Sequence, residues 1–255
     1  MGLCSNSQKV LHIDYIVYQC YTVQTRLFIH YLTYLPMQIF LDTANLDEIR
    51  HAARLGVLSG ATTNPSLAAK EGIADLSNYR IAVQEIAAIV NGPVSAEVIS
   101  TDARGMVDEG LEIATWAPNV VVKIPSTLEG LEAISQISSR GIQVNQTLCF
   151  SVNQAILGAE AGSAFVSPFI GRLDDEGQDG MVLVSDIVDI FKKYNKKTKV
   201  MAASIRHPLH CVAAAKAGAD IATIPYKVLL QMMHHSLTDT GLARFLQDWG
   251  NTGKS

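Results

Sequence analysis

From residue 37 onward, short apolar runs alternate with stretches of helical periodicity, and the alternation recurs eight times. The runs at 38–42, 60–64, 94–98, 119–124, 143–148, 164–168, 199–203 and 220–224 predict strands. The stretches between them are too long for hairpins and long enough for crossover helices, which is what parallel strands need. Helix starts are marked by Asn45 with Glu48, Ser126 with Glu129, and Ser151 with Gln154, each at capping-box spacing. Eight such units in succession predict an α/β fold, a closed (β/α)8 barrel of the TIM type, rather than an open sheet. No G-x-G-x-x-G follows the first strand to favour a dinucleotide fold. A further helix is expected from about residue 238 to 249, with Leu242, Phe245, Leu246 and Trp249 on one apolar face.

The pattern divides the chain into residues 1–36, a barrel over 37–237, and a C-terminal helix and tail over 238–255. The first segment holds five of the eight tyrosines and has no clean period of 2 or 3.6. Asp14, Gln19 and Arg26 interrupt its apolar stretches, so it does not read as a signal peptide, and Asn6 breaks a myristoylation pattern. The expectation is a start at Met37, with residues 1–36 an upstream translation or an extension outside the fold.

One residue breaks the apolar pattern where it is strongest. Lys123 follows Val120, Val121 and Val122 and precedes Ile124, inside a strand that should be covered on both faces. Lysine is seldom buried unless paired. Removing an ammonium from water favours the free amine, the nucleophile of Schiff-base chemistry on ketones and aldehydes. Other polar residues fall at the C-terminal ends of the strands, where barrels of this class carry their active sites. They are Asp42, Thr62, Asn64, Glu97, Asn145, Thr147, Ser167, Ser204 and Arg206. Any one of them can be structural, since Asp and Asn at strand ends often cap the next helix. Together with Lys123 they permit a defined chemistry. The amine condenses with a ketone, and the iminium draws electrons from the neighbouring bond. Asp42 and Glu97 are the carboxylates available to move protons. Asn64, Asn145 and Ser167 can hold substrate hydroxyls. Ser204 and Arg206 lie at a helix start whose first turn contains Pro208, and with Arg172 they can bind a phosphate.

Composition narrows the function further. Hydrophobic content of 48% with 17% charged residues fits a large core, and a net charge of −4 argues against a nucleic-acid surface. No apolar stretch reaches the roughly 20 residues of a membrane span, so no membrane partner is expected. Cys4, Cys20, Cys149 and Cys211 lack zinc or redox spacing and read as reduced thiols of a cytoplasmic protein. The sequon at Asn145 lies in an expected strand and is discounted. His207 with His210, and His234 with His235, lack a third ligand, so no metal is expected. The lysines from Lys192 to Lys199 read as a solvated helix end, and Asp174, Asp175, Glu176 and Asp179 as a solvated acidic loop.

Five motifs in order resemble the transaldolase family: Ile39 to Ala44, Thr62 to Ser66, Val120 to Pro125, Ser167 to Asp175, and Ala202 to Arg206. The resemblance runs from Met37 to about Trp249 and is to the small single-domain branch, which also contains the fructose-6-phosphate aldolases. It implies a cofactor-free transfer of a dihydroxyacetone unit between sugar phosphates in the pentose phosphate pathway, and a ring-like homo-oligomer with the last helix reaching a neighbour. By that resemblance Lys123 forms the Schiff base, Asp42 takes the donor hydroxyl proton, and Glu97 works with Thr147 on a proton-relaying water. Asn64, Asn145 and Ser167, with Thr62 and Phe169 beside them, would hold the three-carbon fragment, and Arg172, Ser204 and Arg206 the phosphate. Glu97 and Phe169 stand where the aldolase branch has glutamine and tyrosine, which implies transferase over lyase. A lyase releasing free dihydroxyacetone is the second reading, and a catalytically silent sugar-phosphate-binding barrel the third.

Overall fold

The structure is a computed structural model that describes residues 37–251. The expectations for residues 1–36, including Cys4 and Cys20, lie outside the described residues. Eight strands close a barrel in sequence order, every neighbouring pair parallel, with β1 (Gln38–Asp42) joined to β8 (Ile221–Ile224). Between them run β2 (Gly60–Thr62), β3 (Val94–Glu97), β4 (Val120–Pro125), β5 (Val144–Cys149), β6 (Phe165–Pro168) and β7 (Lys199–Ala202). The helices that follow the strands are α1 (Leu46–Arg54), α2 (Pro65–Lys70) and α3 (Leu76–Ile89), α4 (Ala103–Ile113), α5 (Leu128–Ser138), α6 (Val152–Glu160), α7 (Ile170–Asp175) and α8 (Gly180–Lys193), α9 (Pro208–Ala217), α10 (Tyr226–Met233) and α11 (Ser236–Asn251). Among the described residues no helix is long and apolar enough to cross a membrane.

Strand alternation sorts the apolar residues into two cores. Val120, Val122 and Ile124 point outward into the large cluster between sheet and helices, while Val121 points inward. Phe40, Val121, Phe165, Met201 and Ile221 fill the barrel's interior as one apolar layer. A Cβ at residue 60 would run into the Phe40 ring, so glycine there lets the layer close. Above it the inward positions turn polar. Lys123, two residues beyond Val121, therefore enters the barrel over an apolar floor, and its register partners are Glu97 on β3 and Asn145 on β5.

The helix starts differ in detail from the capping-box expectation. Asn45 accepts from Asp47 and Glu48 N–H, but Glu48 binds the Thr43 hydroxyl at 2.6 Å instead of reaching back. Thr127, not Ser126, caps α5 by accepting from Gly130 N–H, because the Ser126 hydroxyl donates to the Thr147 carbonyl at 2.7 Å. Ser151 caps α6 as expected, and Gln154 accepts from Phe150 N–H. The face of α11 carrying Leu242, Phe245, Leu246 and Trp249 is exposed.

Candidate active site

The strand ends open into a cavity of about 450 Å³ lined by Asp42, Thr62, Asn64, Lys70, Glu97, Lys123, Leu148, Ser167, Phe169, Arg172, Ser204 and Arg206, among others, a volume suited to a small metabolite. Lys123 is 4% exposed. Its Nζ lies 3.0 Å from Glu97 Oε2 and donates to the Thr63 carbonyl at 3.2 Å. A buried ammonium so paired is tolerated, and losing either partner would strand the other.

Asp42 ends β1 beside this pair. Thr62 Oγ1 donates to Asp42 Oδ1 at 2.7 Å and lies 2.6 Å from Thr223 Oγ1. With the Thr62 proton committed to the carboxylate, Thr223 must donate to Thr62. Thr62 thus lines the cavity with its hydroxyl proton given to Asp42. Burial pushes the Asp42 carboxyl above its ordinary value, against the opposing pull of the Lys123 charge, the Thr62 hydrogen bond and the Lys70 charge.

Asn145 is fully buried behind Ser167, outside the lining of the cavity and out of reach of glycosylation. Its Nδ2 donates to Ser95 Oγ at 3.1 Å and its Oδ1 accepts from Ser167 Oγ at 2.7 Å. Thr147, the next inward position on β5, has a buried Oγ1 with no protein partner among the described residues. Asn64 both lines the cavity and caps α2, its Oδ1 accepting from Leu67 N–H at 2.9 Å, which leaves its amide donors for another partner.

The cationic end of the cavity is built from the segments after β6 and β7. The Arg172 guanidinium lies 5.3 Å from the Phe169 ring centroid, a cation–π contact, and Phe169 packs edge-on against Phe150. Arg206 Nη2 meets Asp175 Oδ2 at 2.7 Å. Ser204 holds a left-handed backbone at φ 57°, costly for a non-glycine residue and common where geometry serves a site. From the segment after β7 the cavity takes Ala203, Ser204, Ile205 and Arg206, and the Arg206 N–H donates to His210 Nδ1 at 3.3 Å. Arg172, Ser204 and Arg206 all line this end of the cavity.

The acidic loop is not merely solvated. Asp174 pairs with His210 Nε2 at 3.0 Å and accepts from Gly180 N–H, Asp175 holds Arg206, and Asp179 caps α8. Because His210 Nδ1 accepts from Arg206, the ring proton sits on Nε2. Burial first, then neighbouring His207, lowers the His210 pKa and keeps that neutral form. In the basic run, Lys192 and Lys193 close the last turn of α8 as expected, whereas Lys196 pairs with Glu160.

The sequence reading missed Lys70, Ser95, Leu148, Thr223 and the His210–Asp174 pair. Lys70 lines the cavity from the last position of the short helix that Asn64 caps. Leu148 had no legible signal: its φ of 51° accompanies a register shift between β5 and β6 that no side-chain pattern announces.

Set beside known proteins, the chain matches the sequence family described as Transaldolase/Fructose-6-phosphate aldolase over residues 39–254. A protein of Dehalococcoides mccartyi named "Probable transaldolase" is 62% identical over 219 residues, which cover 86% of this chain and all of that protein. One of the same name from Moorella thermoacetica is 60% identical over 213 residues, 84% of this chain and 97% of that one. Among solved structures, a protein of Coccidioides immitis provisionally named a fructose-1,6-biphosphate aldolase aligns with a TM-score of 0.51 over 74% of each chain. At 12% identity that likeness concerns the fold alone.

Proposed function

Because the chain belongs to the transaldolase/fructose-6-phosphate aldolase family, we propose that it is a cytoplasmic transaldolase of the pentose phosphate pathway. It moves a dihydroxyacetone unit from sedoheptulose 7-phosphate to glyceraldehyde 3-phosphate, yielding erythrose 4-phosphate and fructose 6-phosphate. The observation that carries this reading is the buried Lys123 amine against Glu97, inside a cavity whose far end is cationic.

The contacts support a sequence of steps. Glu97, 3.0 Å from Nζ, takes a proton from the ammonium, and the free amine adds to the ketone carbon. Loss of water from the carbinolamine, relayed through Glu97 and Thr147, leaves the iminium. Asp42 then removes the proton of the hydroxyl beyond the scissile bond. That bond breaks, its electron pair passes to the iminium as an enamine, and the aldose phosphate departs. The enamine carbon adds to the acceptor aldehyde, Asp42 returns its proton to the new alkoxide, and hydrolysis frees the product and the lysine. Ser167, backed by Asn145, holds the fragment's hydroxyls, Asn64 holds another through its amide, and Arg172, Ser204 and Arg206 hold the phosphate. Phe169 brings no hydroxyl to the enamine, so protonation by that route is closed and the fragment waits for an acceptor.

The test supplies fructose 6-phosphate with and without erythrose 4-phosphate and quantifies sedoheptulose 7-phosphate and free dihydroxyacetone. Sedoheptulose 7-phosphate formed only with acceptor is expected. Rapid dihydroxyacetone release without acceptor would assign the lyase reading, and turnover of neither kind the silent barrel.

The phosphate end makes its own prediction. A Cβ at Gly171 would collide with the Ser204 carbonyl oxygen and the Arg206 side chain, forcing α7 away from the loop after β7. Gly171→Ala should raise KM for phosphorylated substrates by about tenfold with a smaller change in kcat, as expected when ground-state and transition-state binding are lost together. Steady-state kinetics with an unchanged KM would contradict the assignment of this end to the phosphate.

A further inference from the structure

Tyr79 is 3% exposed on α3, outside the sheet, and takes no part in the steps above. Its hydroxyl lies 2.6 Å from Thr63 Oγ1 and accepts from Glu97 N–H at 3.1 Å. Thr63 Oγ1 in turn donates to the Ser95 carbonyl at 3.0 Å. Since the Thr63 proton is used there, the Tyr79 O–H must donate to Thr63, and the direction of every bond in the chain is fixed. Burial pushes the Tyr79 hydroxyl up to about 12, so it keeps its proton across the working range.

The consequence lies in the sheet. Ala61 N–H donates to the Pro93 carbonyl and Thr63 N–H to the Ser95 carbonyl, and a parallel ladder continued by one rung would send Glu97 N–H to the Thr63 carbonyl. Glu97 N–H goes to Tyr79 instead, and the Thr63 carbonyl receives Lys123 Nζ. We propose that Tyr79 is a positioning residue for the amine: by taking the Glu97 N–H, its hydroxyl keeps the Thr63 carbonyl open for Lys123 and fixes the backbone that carries the Glu97 carboxylate. Both groups that touch Nζ are thus set by one hydroxyl that never meets substrate. The inference rests on the Schiff-base reading of Lys123.

Without that hydroxyl, Glu97 N–H and the Thr63 carbonyl pair with each other, and Lys123 loses its carbonyl partner. Tyr79→Phe should therefore slow formation of the borohydride-trapped adduct with fructose 6-phosphate by about tenfold and lower kcat in step, with KM within about twofold of the parent. Thr63→Val, which removes the hydroxyl that aligns Tyr79, should fall in the same direction, and Thr63→Ser should restore the parental rate. If Tyr79→Phe fails to fold, the Thr63 pair carries the test. Parental trapping rates in Tyr79→Phe and Thr63→Val overturn the proposal, as does Thr63→Ser as slow as Thr63→Val, or a rise in KM matching the loss in kcat. Parental protein that traps no adduct at all overturns the Schiff-base reading, and this inference with it.

Discussion

Lys123→Met should abolish transfer of the three-carbon unit, lowering kcat by at least about 10⁴-fold, the scale of losing a covalent nucleophile. The physical argument separates chemistry from packing. Methionine keeps a chain of similar length over the apolar layer of Val121 and Phe165, but it cannot form an imine. It also leaves the Glu97 carboxylate, now 3.0 Å from an ammonium, without a counter-charge. Breaking one side of a buried pair is strongly destabilising, so the single variant should melt earlier than the parent. Lys123→Met combined with Glu97→Gln removes the stranded charge and should recover most of that loss without recovering turnover. Steady-state kinetics and thermal melts of the parent and both variants check this. Residual transfer within a hundredfold of the parent would remove Lys123 from the chemistry.

Asp42→Asn should lower kcat by about 10² to 10⁴-fold, the usual worth of a positioned acid–base group, while raising the melting temperature at neutral pH. Both effects have one cause. Burial raises the Asp42 pKa over that of the unfolded chain, so folding favours the protonated acid and penalises the carboxylate. The penalty is absent below the unfolded value of 3.8, grows as pH rises from there, and is complete once pH has passed the folded value. The stabilisation by asparagine should therefore vanish in acid and be complete above the folded pKa. The same displacement should move the acid limb of the parental pH–rate profile above the ordinary carboxylate range. Melts from acid to neutral pH, set beside the rate profile, test both. An asparagine variant equally stable at all pH values, or an acid limb at the ordinary Asp pKa, would contradict this account of Asp42.

Much of the barrel was legible because each unit repeats a short apolar run and a stretch of 3.6 periodicity, and capping residues mark the joins. Lys123 was legible because a charge inside a β-branched run has few structural uses. Where the reading slipped, the deciding partner lay elsewhere in the chain. Ser126 and Thr127 are both capping residues, and only the Thr147 carbonyl on the neighbouring strand draws Ser126 away. Asp174 and Asp175 read as solvated acids because His210 and Arg206 reach them only once β6 and β7 are adjacent. Thr62 lines the cavity, and the partners its hydroxyl finds, Asp42 and Thr223, come only from the closing of β1 against β2 and β8. Tyr79 reads as one apolar position on a helix, and its hydroxyl acquires meaning only from the rung missing beside it.

The most direct test of the central claim is to incubate the protein with fructose 6-phosphate, reduce it with borohydride and map the modified peptide by mass. The account predicts one reduced dihydroxyacetone unit per chain, carried on Lys123 and lost when erythrose 4-phosphate is added before the reductant. An unmodified chain, or a label on any other lysine, would contradict it.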